Sequence, residues 1–200
     1  MSGRPEFTIV AGPNGAGKSR LGPFYSKVKA FDGDKLALEL RKGHPDWKNS
    51  WVDGFVISAL MKQKDAAIMA HKDFAFETNF STQLPLTMLS EFKKANYKLG
   101  FIYFGLSSVD ESVARVTQRY ATGGHNIPYE LIKTNFILGI HQTQECLHLF
   151  DNVLFIDGLT DFGDIVALHI GASGKHVVTD HYCPWFDKYF RNSFEALSDK

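Results

Sequence analysis

The chain has 200 residues, enough for one domain with a sizeable core or for two small ones. Its 22 basic residues balance 22 acidic ones and 44% of residues are hydrophobic, which argues against a globally basic nucleic-acid or anionic-membrane binder. No apolar run approaches the ~18 residues of a membrane span, and residues 1–11 hold no signal-peptide core. The two cysteines, Cys146 and Cys183, have neither metal-ligand nor redox spacing. They read as free thiols, so the expected setting is the cytoplasm, with no membrane and no nucleic-acid partner.

Residues 7–11 (FTIVA) form a short apolar run ending at Gly12, the pattern of a buried strand. Weaker strands are expected at 29–32 and 73–77, clear ones at 98–106 (KLGFIYFGL) and 152–157 (NVLFID). Between them, helical spacing of apolar residues predicts helices over 51–71 and 85–96. Ser108-Val109-Asp110-Glu111 has the capping-box pattern and opens a helix to about Thr122, stopped by Gly123-Gly124. Pro128 suits the first turn of a further helix reaching about Phe150. Such alternation predicts an α/β fold, a three-layer P-loop NTPase sandwich with a five-stranded, mainly parallel sheet and helices on both faces. Residues 1–170 are expected to form this domain, with a lid at about 108–128. Residues 171–200 are expected to form a small appendage packed on it, with a hairpin within 171–181. A terminal helix follows, using Trp185, Phe186, Tyr189, Phe190 and Phe194 as its apolar face.

Gly12, Pro13, Asn14, Gly15, Ala16, Gly17, Lys18 and Ser19 match G-x-x-x-x-G-K-[ST]. Glycines let successive N–H groups turn inward onto phosphate oxygens. Lys18 is placed to reach the β- and γ-phosphates of ATP or GTP, and the Ser19 hydroxyl to ligate Mg²⁺. The next helix adds the partial positive charge of its N-terminus. By chance alone, such a match occurs in roughly one chain of this length in a hundred. Pro23 falls a few residues into that helix, which should therefore be short or kinked.

A transporter ATPase would need an LSGGQ-like signature and a strand ending in consecutive acids; neither is present. A kinase needs a base for its acceptor, an acid near the metal, and basic groups to neutralise the moving phosphoryl group. Asp32 and Asp34 in FDGDK sit where a second strand should end, beside the phosphate loop. Asp-Gly-Asp is also what a turn or helix cap looks like. Glu77 ends FAFE, where it could hold a metal-bound water, bind substrate or cap a helix. Arg115 and Arg119 are four apart and share a helix face ahead of the Gly123-Gly124 hinge. Glu111 lies one turn before Arg115, whereas the residue one turn before Arg119 is Arg115 itself, which favours Arg119 as the phosphate-neutralising group. His125 beside the hinge could touch phosphate or substrate.

These blocks together resemble the zeta-toxin-like kinases, in particular the compact branch often called predicted ATPases. The resemblance covers about Phe7 to Phe136, with a weaker echo at Cys183-Pro184-Trp185, and includes a GGH-x-x-P element at Gly123 to Pro128. It implies transfer of a γ-phosphate to a hydroxyl of a small molecule or nucleotide sugar, and a possible antitoxin protein partner. It implies Asp34 as base, and Lys18, Arg115 and Arg119 on the phosphates. Asp32, Glu77, Thr78, Asn79 and His125 would lie near the acceptor. The chain departs from the family in carrying Asn79 where a second Thr is usual. It has no arginine just before a Thr-Pro in the lid, and Lys133 and Asn135 lie where compact relatives often carry an arginine. A housekeeping small-molecule kinase and a nucleotide-binding module without transfer activity are the alternatives.

Overall fold

The computed structural model describes residues 3–121, 127–160 and 162–198. In chain order these form β1 (Glu6–Ala11), α1 (Lys18–Tyr25), β2 (Phe31–Asp32), α2 (Gly33–Gly43), α3 (Asn49–Ala70), β3 (Phe74–Thr78), α4 (Leu84–Lys94) and β4 (Lys98–Gly105). There follow α5 (Val109–Ala121), α6 (Tyr129–Cys146), β5 (Asn152–Asp157), β6 (Asp164–Ile170), β7 (Lys175–Val178), α7 (Pro184–Tyr189) and α8 (Arg191–Glu195). The strands make one sheet in the order β2-β3-β1-β4-β5-β6-β7. The first five run parallel; β6 and β7 are antiparallel additions at one edge.

Connection order explains the layers. Only the β1-to-β2 crossover travels leftward in this order; those leading to β3, β4 and β5 travel rightward. With right-handed crossovers, α1 must lie on one face and α2 through α6 on the other. Packing agrees. Gly22 of α1 sits against Val10, and Tyr25 meets Phe104 edge-on. On the opposite face Phe92 of α4 stacks on Phe7 at 4.0 Å between ring centroids. Trp185 and Phe190 close on Tyr103 and Phe155 of that same face. Phenylalanines thus build one continuous core, in which removing a single buried ring would cost about 3–5 kcal/mol.

Three expectations need correction. The sheet has seven strands among the described residues, not five. The hairpin is formed by β6 and β7, so its first strand lies in 164–170 rather than within 171–181. Asp164–Ile170 escapes sequence reading because its first two residues are exposed and only Val166 and Ala167 are fully buried, so no continuous apolar run marks it. The terminal helix is two helices that meet at Phe190, whose φ of −128° is not helical. The apolar spacing still holds there: Trp185, Phe186, Phe190 and Phe194 are buried. Near the phosphate loop, α1 is eight residues long and ends two residues after Pro23, which has no N–H to offer the Ser19 carbonyl.

Candidate active site

The adjoining strand order β2-β3-β1 brings three carboxyl ends together, the place where open parallel sheets bind ligands. Register does the fine positioning: Asp32 pairs with Glu77, and Ala11 with Thr78. Beyond β1 the chain turns at Gly12, with φ 140°. A Cβ there would lie 2.2 Å from the Phe104 carbonyl oxygen, so only glycine fits. The Ala16 N–H donates back to the Pro13 carbonyl, closing the loop, and α1 starts directly behind Gly17.

Lys18 is 8% exposed. Its ammonium donates to the carbonyls of Gly12 (2.8 Å) and Pro13 (3.0 Å) and to Asn79 Oδ1 (3.1 Å). Burial pushes its pKa below the ordinary lysine value, while Glu77, Asp34 and Asp32 oppose the shift. Ser19 Oγ stands 2.8 and 2.9 Å from the Glu77 carboxylate oxygens and 3.1 Å from Asp32 Oδ2. One hydroxyl proton serves one of these oxygens; the Ser19 hydroxyl and the Asp32 and Glu77 carboxylates are oxygen donors of the kind that could hold a hard cation such as Mg²⁺. Burial raises the Glu77 pKa, with the Lys18 charge acting the other way.

Asp32 also caps α2: its Oδ1 accepts from the Lys35 N–H at 2.9 Å. The cap reading of Asp-Gly-Asp is thus met at Asp32, whose other oxygen faces Ser19. Asp34, exposed in the first turn of α2, lines a cleft of about 370 Å³ with Asp32, Glu77, Thr78 and Asn79. The far wall of that cleft is Arg41 of α2 and Asp53, Val56, Ile57 and Leu60 of α3. Sequence reading missed this wall, although Val56 and Leu60 lie four apart on one helix face. Thr78 Oγ1 accepts from the Phe80 N–H at 3.0 Å, holding the turn after β3.

A second cleft, of about 710 Å³, is lined by Gly15 to Arg20, Glu77, Arg115, Gln118 and Arg119. The capping box forms as spaced: Ser108 Oγ accepts from the Glu111 N–H and Glu111 accepts from the Ser107 N–H. Arg115 pairs with Glu111 at 3.5 Å and donates to the Gly158 carbonyl at 3.4 Å. Arg119 lines both this cleft and a smaller one containing Asp32, Asp34 and Glu77. Asn14 joins the phosphate loop to both following helices. Its carbonyl accepts from Ser112 Oγ of α5 (2.5 Å), and its Oδ1 from Asn135 Nδ2 of α6 (3.0 Å). Gly123, Gly124 and His125 lie outside the described residues.

No protein-family model matches the chain. An uncharacterized protein of Haemophilus influenzae is 24% identical over 130 residues, covering 64% of this chain and 90% of that protein. Among solved structures, a chain of the PezAT chromosomal toxin–antitoxin system of Streptococcus pneumoniae matches with a TM-score of 0.65 at 13% identity. That match covers 100% of this chain and 88% of the other. A chain of the AvrRxo1-ORF1:-ORF2 complex with ATP matches with a TM-score of 0.64 at 14% identity, over 93% and 63%. A chain of the Pnkp1/Rnl/Hen1 RNA repair complex matches with a TM-score of 0.58 at 17% identity, over 72% of this chain. The present chain spans 47% of that RNA-repair chain. These likenesses are of fold: the chain shares its α/β arrangement, a mostly parallel sheet with helices, with those three chains. Among the described residues no helix is long and apolar enough to cross a membrane.

Proposed function

We propose that the protein transfers the γ-phosphoryl group of ATP or GTP to a hydroxyl of a small molecule or nucleotide sugar. The observation that carries this reading is that two clefts meet at Lys18 and Glu77. One holds the phosphate loop and two arginines; the other holds Asp34 and a half-apolar wall. A nucleotide phosphate in the first cleft and a hydroxyl in the second would face each other across Lys18.

In this reading the acceptor oxygen attacks the γ-phosphorus in line, the bond to the β-phosphate oxygen breaks, and the nucleoside diphosphate leaves. Asp34 takes the acceptor proton. Lys18 and Arg119 neutralise the phosphoryl oxygens, with Arg115 beside them. Ser19, Asp32 and Glu77 would hold Mg²⁺, which supplies charge neutralisation of the phosphates when bound. Thr78, Asn79 and Arg41 border the acceptor, and His125 belongs to the same proposed set. The two-component toxin–antitoxin system among the matched structures supports including an inhibiting protein partner in this reading.

A phosphotransfer screen with γ-labelled ATP and GTP tests it, using UDP-sugars, other hydroxylated metabolites and a 5′-hydroxyl RNA oligonucleotide as acceptors. The RNA arm is motivated by the RNA-repair likeness. Lys18→Ala is the blank. A labelled small-molecule product that Asp34→Asn fails to make, while still binding ATP, is the expected result. Transfer by Asp34→Asn at the wild-type rate removes Asp34 as the base. Absence of product with every acceptor leaves a nucleotide-binding module instead.

A further inference from the structure

On the far side of β5 from the proposed acceptor, three groups that the phosphoryl chemistry does not use come together. Asp157 ends β5 and is 6% exposed. Its Oδ1 accepts from the Leu159 N–H at 3.1 Å, and its Oδ2 lies 3.1 Å from His181 Nε2. Cys183, 2% exposed, adds a sulfur, and one ligand atom from each of the three lies within 4.8 Å of the others. His181 and Cys183 stand on the segment that leads into α7.

We infer that Asp157, His181 and Cys183 form a zinc site that fastens the C-terminal segment to the end of β5. Carboxylate oxygen, imidazole nitrogen and thiolate sulfur are the three donor types that bind Zn²⁺, and three protein ligands leave a fourth, water-filled position. Bonds of about 2.0–2.3 Å place tetrahedral ligand atoms roughly 3.3–3.8 Å apart, so the Asp157–His181 pair is already at working distance. The widest separation has to close by about an ångström. On binding, the Cys183 S–H bond breaks, its proton goes to solvent, and the sulfur lone pair bonds the metal. His181 stays neutral, carrying its proton on Nδ1 so that Nε2 can coordinate. Cys183 stands at the N-cap of α7, where the Phe186 N–H donates to its carbonyl at 3.0 Å and fixes the backbone that carries the sulfur.

The site has a mechanical setting. Gly158 follows Asp157 directly, and a Cβ there would lie 2.2 Å from the Ala16 carbonyl oxygen. The end of β5 thus presses on the phosphate loop, and its Gly158 carbonyl takes the Arg115 hydrogen bond. Zinc at Asp157 would hold this buttress in place.

The test uses the full chain, Zn²⁺ and Co²⁺. Wild type, dialysed against Zn²⁺ and then freed of loose metal, is expected to retain one equivalent by elemental analysis. The Co²⁺ form is expected to show a near-ultraviolet thiolate-to-cobalt absorption band that Cys183→Ser lacks. His181→Ala, at a half-open position, is expected to bind Zn²⁺ at least about tenfold more weakly. Its melting temperature in EDTA should lie somewhat below that of the wild type, because Asp157 loses a partner, while Zn²⁺ should raise the wild type alone. Zinc retention by the His181→Ala/Cys183→Ser double variant equal to wild type overturns the site. So does a wild-type Co²⁺ spectrum without the thiolate band.

Discussion

Lys18 on the floor of the phosphate cleft and the two arginines on its roof carry the same charge on different foundations. Lys18 is buried, held by two loop carbonyls and Asn79, and fixed between the ends of β1 and β3. The arginines stand on α5, where only Ser112 and Val116 of the described side chains are buried. A capping box, the Glu111–Arg115 ion pair and the bonds from Ser112 to Asn14 and from Arg115 to Gly158 hold its first two turns; its last turn, with Arg119, is exposed. The floor is preorganised by packing, and the roof is the part whose position costs little to change. In the proposed reaction, the charge present before substrate arrives would sit at the start of α1 between two strand ends, and the charge needed only at transfer would sit near the end of α5.

The sharpest way to break this contrast is to remove the floor. Lys18→Ala should lower turnover of labelled ATP by about 1,000-fold and also destabilise the fold, because three buried oxygens lose their donor. Asp34→Asn should cut product formation by about 100- to 1,000-fold, leaving ATP affinity by calorimetry within about twofold. On the roof, Arg119→Ala should slow transfer by about 100-fold at unchanged melting temperature. Arg115→Ala should instead show part of its effect as lost stability, since Glu111 and the Gly158 carbonyl lose a partner. Glu77→Gln separates floor from roof by pH. Burial raises Glu77, so it takes up a proton at higher pH than an ordinary glutamate, and the ionised form needed at Ser19 is lost as pH falls through that value. The acid limb of Mg²⁺ affinity should lie above the usual glutamate range in wild type. The part of that limb due to Glu77 should be lost in Glu77→Gln, which should bind Mg²⁺ about tenfold more weakly at neutral pH. The smallest effect is expected from Ser108→Ala, which removes one cap of α5. It should cost about 1 kcal/mol in thermal unfolding without changing nucleotide affinity.

Much of the floor was legible because its residues obey local rules. The phosphate loop is contiguous, and Asp32 and Glu77 each end a short apolar run, so strand register alone sets them side by side. What was not legible depends on distant packing. Asn79 could be named from its block, but not as a ligand of the Lys18 ammonium, a contact spanning 61 residues. The α3 wall of the proposed acceptor cleft and the strand β6 depend on which neighbours cover them. Cys183 was read against Cys146, its only sulfur partner in sequence. The pairing that geometry offers is with His181, two residues earlier, and with Asp157 on another element. Gly123, Gly124 and His125, which the sequence offers as a hinge and a phosphate contact, fall outside the described residues.

Asn14 gives this division of labour a fulcrum. Ser112 and Asn135 both grip it, so a tilt of α5 turns about a point inside the phosphate loop. Arg115 is three residues along the helix from Ser112, a lever arm of about 4.5 Å, and Arg119 is seven, about 10 Å. A tilt of about ten degrees would sweep the Arg119 backbone through roughly 2 Å and that of Arg115 through less than about 1 Å, with the loop at rest. Leverage alone would then make Arg115 a bearing and Arg119 the tip of the stroke.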